Sequence, residues 1–182
     1  DGKSAGMNGT AFIYGSKIYS MGNGVNISSP YGINGNNVSQ TYVPSLVPIA
    51  PTSTSPNGPT GWSQIVGTWN NTCALSNVGT VYCWGYNGNG QLGVGDTTDR
   101  YLATAVSFPN TAAAIASLFT QSSHNVTQTT WESYYAIDAN GKVYAWGNNS
   151  QGQLGDGTQT NRNLPVLVGS AALSTKTIVK LS

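Results

Sequence analysis

An all-β fold of short strands joined by turns is predicted by composition, by an internal repeat and by a recurring hairpin signal. Gly, Ser, Thr and Asn supply 82 of the 182 residues, and such residues favour turns and strand connections over helix interiors. Charged residues make up only 7%, against about 25% in an average soluble domain. Five Trp and ten Tyr offer the large buriable surfaces that a single domain of this length needs.

The repeat keeps a constant spacing. G-T-V-Y-C-W-G-Y-N-G-N-G-Q-L-G, from Gly79 to Gly93, returns 62 residues later as G-K-V-Y-A-W-G-N-N-S-Q-G-Q-L-G, from Gly141 to Gly155. Each copy runs through a polar stretch to Arg100 or Arg162 and then into apolar residues. A weaker copy, S-K-I-Y-S-M-G from Ser16 to Gly22, precedes the first by 63 residues. Ahead of each Val-Tyr motif an apolar run meets a short loop ending in Gly79 or Gly141. That is a three-residue hairpin with glycine in the left-handed position. Centring the first loop on Val78 sets Leu75 opposite Val81 and Cys73 opposite Cys83. Trp84 and Trp146 share one repeat position within apolar strands and are expected in the core.

The boundaries follow: repeat 1 over about 10–61, repeat 2 over 62–127 and repeat 3 over 128–176. Residues 177–182 read as the start of a repeat that 1–22 continue. Repeats cut in this way have the layout of a β-propeller of about three blades, partial, self-closed or completed between chains. The Pro/Ser/Thr-rich stretch 48–61 reads as a surface connection.

The motifs V-Y-C-W-G-Y-N-G-N-G-Q-L-G and V-Y-A-W-G-N-N-S-Q-G-Q-L-G resemble the regulator of chromosome condensation repeat, shared with the propeller-type β-lactamase inhibitor proteins. The resemblance covers roughly 62–110 and 128–182, and it weakens in the first repeat, where Met21 stands in place of Trp. It implies four-stranded blades in a ring, usually of seven. Nuclear members promote nucleotide exchange on a small GTPase and contact chromatin. The sparse charge here speaks against carrying that over, whereas secreted members that bind through loops on one face suit the composition better.

Function classes narrow on the same grounds. A net charge of +1 leaves no electrostatic footprint for nucleic acid, and no run reaches a membrane span of about 18 apolar residues. One His and six acids make a catalytic site hard to assemble; an enzyme would need two of Asp96, Asp99, Glu132, Asp138 and Asp156 to converge in a cleft. Asp96, Asp99 and Asp156 lie in glycine-flanked turns, where they suit turn amides and Arg100 or Arg162 better than Ca²⁺. No metal and no cofactor is expected. Cys73 and Cys83 are expected to form a disulfide, which with the composition points to an extracellular or cell-surface location.

The expected function is non-catalytic recognition of a protein or glycan through propeller loops. Trp69, Tyr86, His124 and Trp131 are the binding candidates; Trp69 and Trp131 could equally fold over a blade edge. The alternative is a structural subunit of a filament or surface appendage, built from copies of the chain by strand or blade completion. Of six N-x-S/T sequons, those at Asn8, Asn37 and Asn125 read as loop-borne candidates for glycosylation.

Overall fold

The structure is a computed structural model and describes residues 3–6, 9–23, 40–46, 58–68, 70–124 and 130–169. They build three antiparallel four-stranded sheets in sequence order. The first holds β1 (Lys3–Gly6), β2 (Gly9–Tyr14), β3 (Lys17–Asn23) and β4 (Gln40–Leu46). The second holds β5 (Trp62–Gly67), β6 (Asn71–Ser76), β7 (Val81–Gly85) and β8 (Arg100–Ala105). The third holds β9 (Ile115–His124), β10 (Thr130–Asp138), β11 (Val143–Gly147) and β12 (Arg162–Leu167). Strand β5 packs against β1 on one side and β9 on the other, so the second sheet is the middle blade of an arc.

The hairpin signals set the register. Leu75 pairs with Val81 and Cys73 with Cys83, and Tyr135 pairs with Ala145 in the third sheet. Gly79 and Gly141 close these loops at φ of +82° and +77°, backbone that glycine adopts without a Cβ penalty. The opposed cysteines are joined by a disulfide. Closing so short a loop contributes about 2–3 kcal/mol through the unfolded chain.

In the first sheet Lys3–Gly6 pairs with Gly9–Phe12 and supplies a first strand, within the stretch 1–22 expected to continue a repeat. The expected start of a further repeat at 177–182 lies outside the described residues.

Alternation along each strand divides the core between two joints. Cys73, Leu75, Val81 and Cys83 face the third sheet, where they meet Leu118, Tyr134, Ala136 and Trp146. Ala74, Tyr82 and Trp84 face the first sheet and pack on Ala11, Ile13 and Ile18. The middle strands β6 and β7 are therefore buried on both faces along their whole length, as expected for strands sandwiched between blades. Trp84 and Trp146 are fully buried. The Trp146 ring stacks on Tyr134 at 5.8 Å, takes the Phe108 edge at 5.5 Å and donates its Nε1–H to the Gln91 carbonyl at 3.0 Å.

Removing that ring opens a cavity at the second joint. Trp146→Ala is expected to lower unfolding free energy by about 3–5 kcal/mol, read from the urea midpoint. Leu102→Ala, on the exposed outer strand β8, should move it by less than about 0.5 kcal/mol.

Candidate functional site

Meander topology sends alternate connections to opposite ends of each sheet. Connections 68–70, 86–99 and 148–161 all emerge at one end, where β9 stops at His124 and β10 starts at Thr130. This end carries two of the aromatic candidates, Tyr86 and Trp131. Tyr86 is half-buried, its ring folded so closely over Gly88 that any side chain there would meet its hydroxyl. Trp131 is half-buried and its backbone pairs with Ser123. The backbone of His124 pairs with Thr130. Trp69, Asn8, Asn37 and Asn125 lie outside the described residues.

The polar segment around His124 reads as a loop in sequence, but much of it is strand. In the second sheet the first hairpin stops pairing at Gly67 and Thr72, whereas β9 and β10 continue past the matching pair, Thr120 and Tyr134, out to His124 and Thr130. Threonine suits an extended ladder even where apolar content is low. The result is a hairpin standing proud of its sheet, with Trp131 on it.

Glu132, next to that tryptophan, is fully buried. Its Oε1 accepts from the Asn70 amide at 3.2 Å; its Oε2 accepts from Asn71 Nδ2 and, at 3.0 Å, from Gln91 Nε2. Asn71 Oδ1 in turn accepts from Thr68 Oγ1 at 2.8 Å and from Tyr134 Oη. Five side chains from both sheets thus close one polar network between the 68–70 loop, the 86–99 loop and the projecting hairpin. Burial, and then the negative charge on Glu132, hold the Tyr134 phenol well above its ordinary value of 10.0.

The longer loops are knitted internally by one asparagine each. Asn87 Oδ1 accepts from the Leu92 amide while Nδ2 reaches the Asp96 and Thr98 carbonyls. Asn149 does the same with Leu154, Thr158 and Thr160. Arg100 pairs with Asp96 at 2.6 Å and Arg162 with Asp156 at 2.7 Å. The loops also clasp across the joint: Asn161 Nδ2 donates to Asn89 Oδ1 at 3.1 Å, and on β12 the Gly95 amide donates to the Asn163 carbonyl and Asn163 Nδ2 to the Gly95 carbonyl, both at 2.9 Å.

Bonds of this kind account for the acids among the described residues. Asp99 accepts from the Asn87 amide, and Asp138 from the Asn140, Lys142 and Ala113 amides. Among the described residues no three His, Cys, Asp or Glu are grouped to hold a metal ion. Burial pushes the Asp156 carboxyl up, but bonds from Thr158, Arg162 and Asn149 outweigh it and set the group at about 2, below its ordinary 3.8. Arg100 likewise lowers Asp96, while burial raises Asp99.

Two measurements follow from these bonds. Glu132→Gln turns an amide NH₂ toward amide donors, leaves a buried donor unpaired and should cost about 1–3 kcal/mol, read from urea unfolding. Asp156 is depressed in the folded state, so its contribution is complete above the unfolded value of 3.8 and vanishes as pH falls through about 2. The stability gap between wild type and Asp156→Asn should therefore narrow across that window and stay flat at higher pH.

Two family profiles, each described as the regulator of chromosome condensation (RCC1) repeat, match this chain; one covers 78–118 and 140–182, the other 62–91. The ultraviolet-B receptor UVR8 of Arabidopsis thaliana is 34% identical over 106 residues, 58% of this chain and 22% of the receptor. The X-linked retinitis pigmentosa GTPase regulator of Mus musculus is 33% identical over 96 residues, 53% of this chain and 9% of that protein. This chain spans less than a quarter of either relative. The crystal structure of Prp20p from Saccharomyces cerevisiae, studied with its binding to Gsp1p and histones, superposes with a TM-score of 0.66 at 19% identity, covering 93% of this chain and 38% of that one. The blades, their order and their sequence core agree: this chain belongs to the regulator of chromosome condensation repeat family, as an all-β partial propeller.

Proposed function

We propose that this chain is a non-catalytic recognition module that binds a protein through the loop end of its second and third blades. One observation carries the reading: a half-buried tryptophan, Trp131, stands on a projecting hairpin whose base is locked by the buried Glu132 network. An aromatic held rigid before contact loses little conformational entropy on binding. Tyr86 and the clasped 86–99 and 148–161 loops complete the rim. Each of Asp96, Asp99, Glu132, Asp138 and Asp156 bonds amides or an arginine, which supports binding over catalysis. Prp20p binds Gsp1p and histones, and this supports a protein partner here by family analogy.

The working location is extracellular or at a cell surface. The disulfide and the 7% charge content support it, since disulfides persist in oxidising compartments. Mass spectrometry of unreduced protein from its native source should recover Cys73 and Cys83 linked; free thiols in that material would overturn the location.

The binding reading is tested by chemical crosslinking in the native extract with wild type and a Trp131→Ala/Tyr86→Ala variant. The expected result is loss of one specific crosslinked protein, with the melting temperature unchanged within a few degrees. A crosslinked partner retained at equal yield by the variant would remove this face from the proposal, and selective capture of glycans on an array would replace the protein partner with a carbohydrate.

A further inference from the structure

Each of the three sheets leaves two edge strands, and an unpaired edge is a template on which another chain can pair. Short strands, prolines and irregular pairing discourage this, and most of the edges here carry one of them. β1 is four residues long. β4 contains Pro44 and β12 contains Pro165, neither with an N–H to offer. The pairing of β8 slips between Cys83 and Gly85, and its Leu102 carbonyl is taken by Thr104 Oγ1 at 2.9 Å. β5 is six residues long and irregular between Trp62 and Gln64. β9 is different. It runs for ten residues, I-A-S-L-F-T-Q-S-S-H, with no Pro, Lys, Arg, Asp or Glu, and it pairs with β10 without a shift from Leu118 to His124.

The bonds of Gln64 show which way the β9 backbone points. From β5, its Oε1 accepts from the Leu118 amide at 2.9 Å and its Nε2 donates to the Leu118 carbonyl at 2.5 Å. A side-chain amide thus sits on β9 as one peptide unit of a neighbouring strand would. Leu118 turns both backbone groups away from β10, and alternation along an antiparallel strand gives Thr120, Ser122 and His124 the same direction. β9 is the last strand of its sheet, so no strand takes those groups. The neighbouring blade stops short of them as a ladder. β5 ends its pairing at Gly67 and Thr72, and the matching pair in the third sheet is Thr120 and Tyr134. The edge from Thr120 to His124 therefore belongs to the part of the hairpin that projects.

We infer that an extended segment of a protein partner adds to β9 as a further strand, bonding main chain to main chain along Thr120, Ser122 and His124. The occupant follows from the edge itself. Its outward groups recur at every second residue, the period of a strand and not of a helix, and Gln64 already satisfies one such residue with an amide. Gln64 also sets where the added strand begins: it holds Leu118, so the first open residue is Thr120. Main-chain bonding supplies affinity in such additions, with side chains left to tune specificity. The inference rests on the recognition reading for a protein partner and adds the form in which that partner is bound.

Hydrogen exchange followed by NMR tests the geometry in the free chain. The amides of Thr120 and Ser122 should exchange at least about tenfold faster than those of Gln121 and Ser123, which face β10. The binding probe is a capped peptide of about five residues alternating valine and threonine, both strand formers, titrated to millimolar concentration. It should shift the amide signals of 120–124 and slow exchange at Thr120 and Ser122; the same peptide N-methylated at each amide should shift nothing. Ser122→Pro removes an outward N–H and no bond to β10. It should weaken peptide binding at least about tenfold with unchanged circular dichroism, while Trp131→Ala binds the peptide as wild type does. Equal exchange at odd and even residues, no shift with the peptide, or shifts that survive N-methylation would each overturn the inference, even if the proline variant failed to fold. A crosslinked partner lost by Trp131→Ala/Tyr86→Ala but kept by a folded Ser122→Pro would overturn it and leave the recognition face standing. A dimer of the free chain abolished by Ser122→Pro would replace the partner strand with a second copy.

Discussion

A carboxylate taken out of water must be compensated by dipoles or by a cation, and for Glu132 the compensation comes from dipoles. Three N–H groups from the neighbouring blade converge on it. Hydrogen bonds to an ionised acceptor are stronger than neutral ones, and burial makes the loss of any one donor more costly. The rest of the loop end depends on this arrangement. Its donors fix the 68–70 loop, the Gln91 segment and the base of the β9–β10 hairpin at once, so Trp131 inherits its position from a bond network it does not join. The same network orders the joint beneath it, because Gln91 offers its side chain to Glu132 and its carbonyl to Trp146.

The blade plan was legible in the sequence wherever the cause was local. A glycine at the third loop position, apolar alternation on either side and a 62-residue return sufficed to pair Cys73 with Cys83 and Leu75 with Val81. Arg100 and Arg162 could be matched with turn aspartates for the same reason, although the spacing differs between the two loops. The Glu132 network was not legible. Its partners lie 41 to 62 residues away on another blade, and in sequence Glu132 is a lone acid in a Thr/Ser stretch. One hint was available: the repeat shift sets Glu132 at the position of Asn70, an exchange that a solvated loop would not need. The strand character of residues 121–124 was hidden too, because polar residues in a ladder show no hydrophobic alternation to reveal them.

The abundance of asparagine has a structural reason beyond loop composition. A single Asn side chain carries an acceptor and two donor hydrogens, so it can close a turn from both directions. Asn87 and Asn149 each do this, joining an amide on one flank of a loop to carbonyls on the other. Aspartate, an acceptor only when ionised, could not make the second set of bonds. The sequon starting at Asn148 illustrates the consequence: that residue is buried and accepts bonds from Ser150 and Gln153. A glycosylation signal in such a chain is often a by-product of loop-building chemistry.

The two joints are filled differently among the described residues, and the difference bears on where the proposed recognition rim is placed. The joint between the second and third sheets holds the buried disulfide, the stacked Tyr134 and Trp146 rings and the Glu132 network. Among the described residues, the joint between the first and second sheets receives Ala11, Ile13 and Ile18 from its first side. Large rigid side chains and buried polar networks both narrow the geometries a joint can adopt. A binding rim needs its loops to keep a fixed spacing across a joint, and this is the reason the proposed rim is placed over the second.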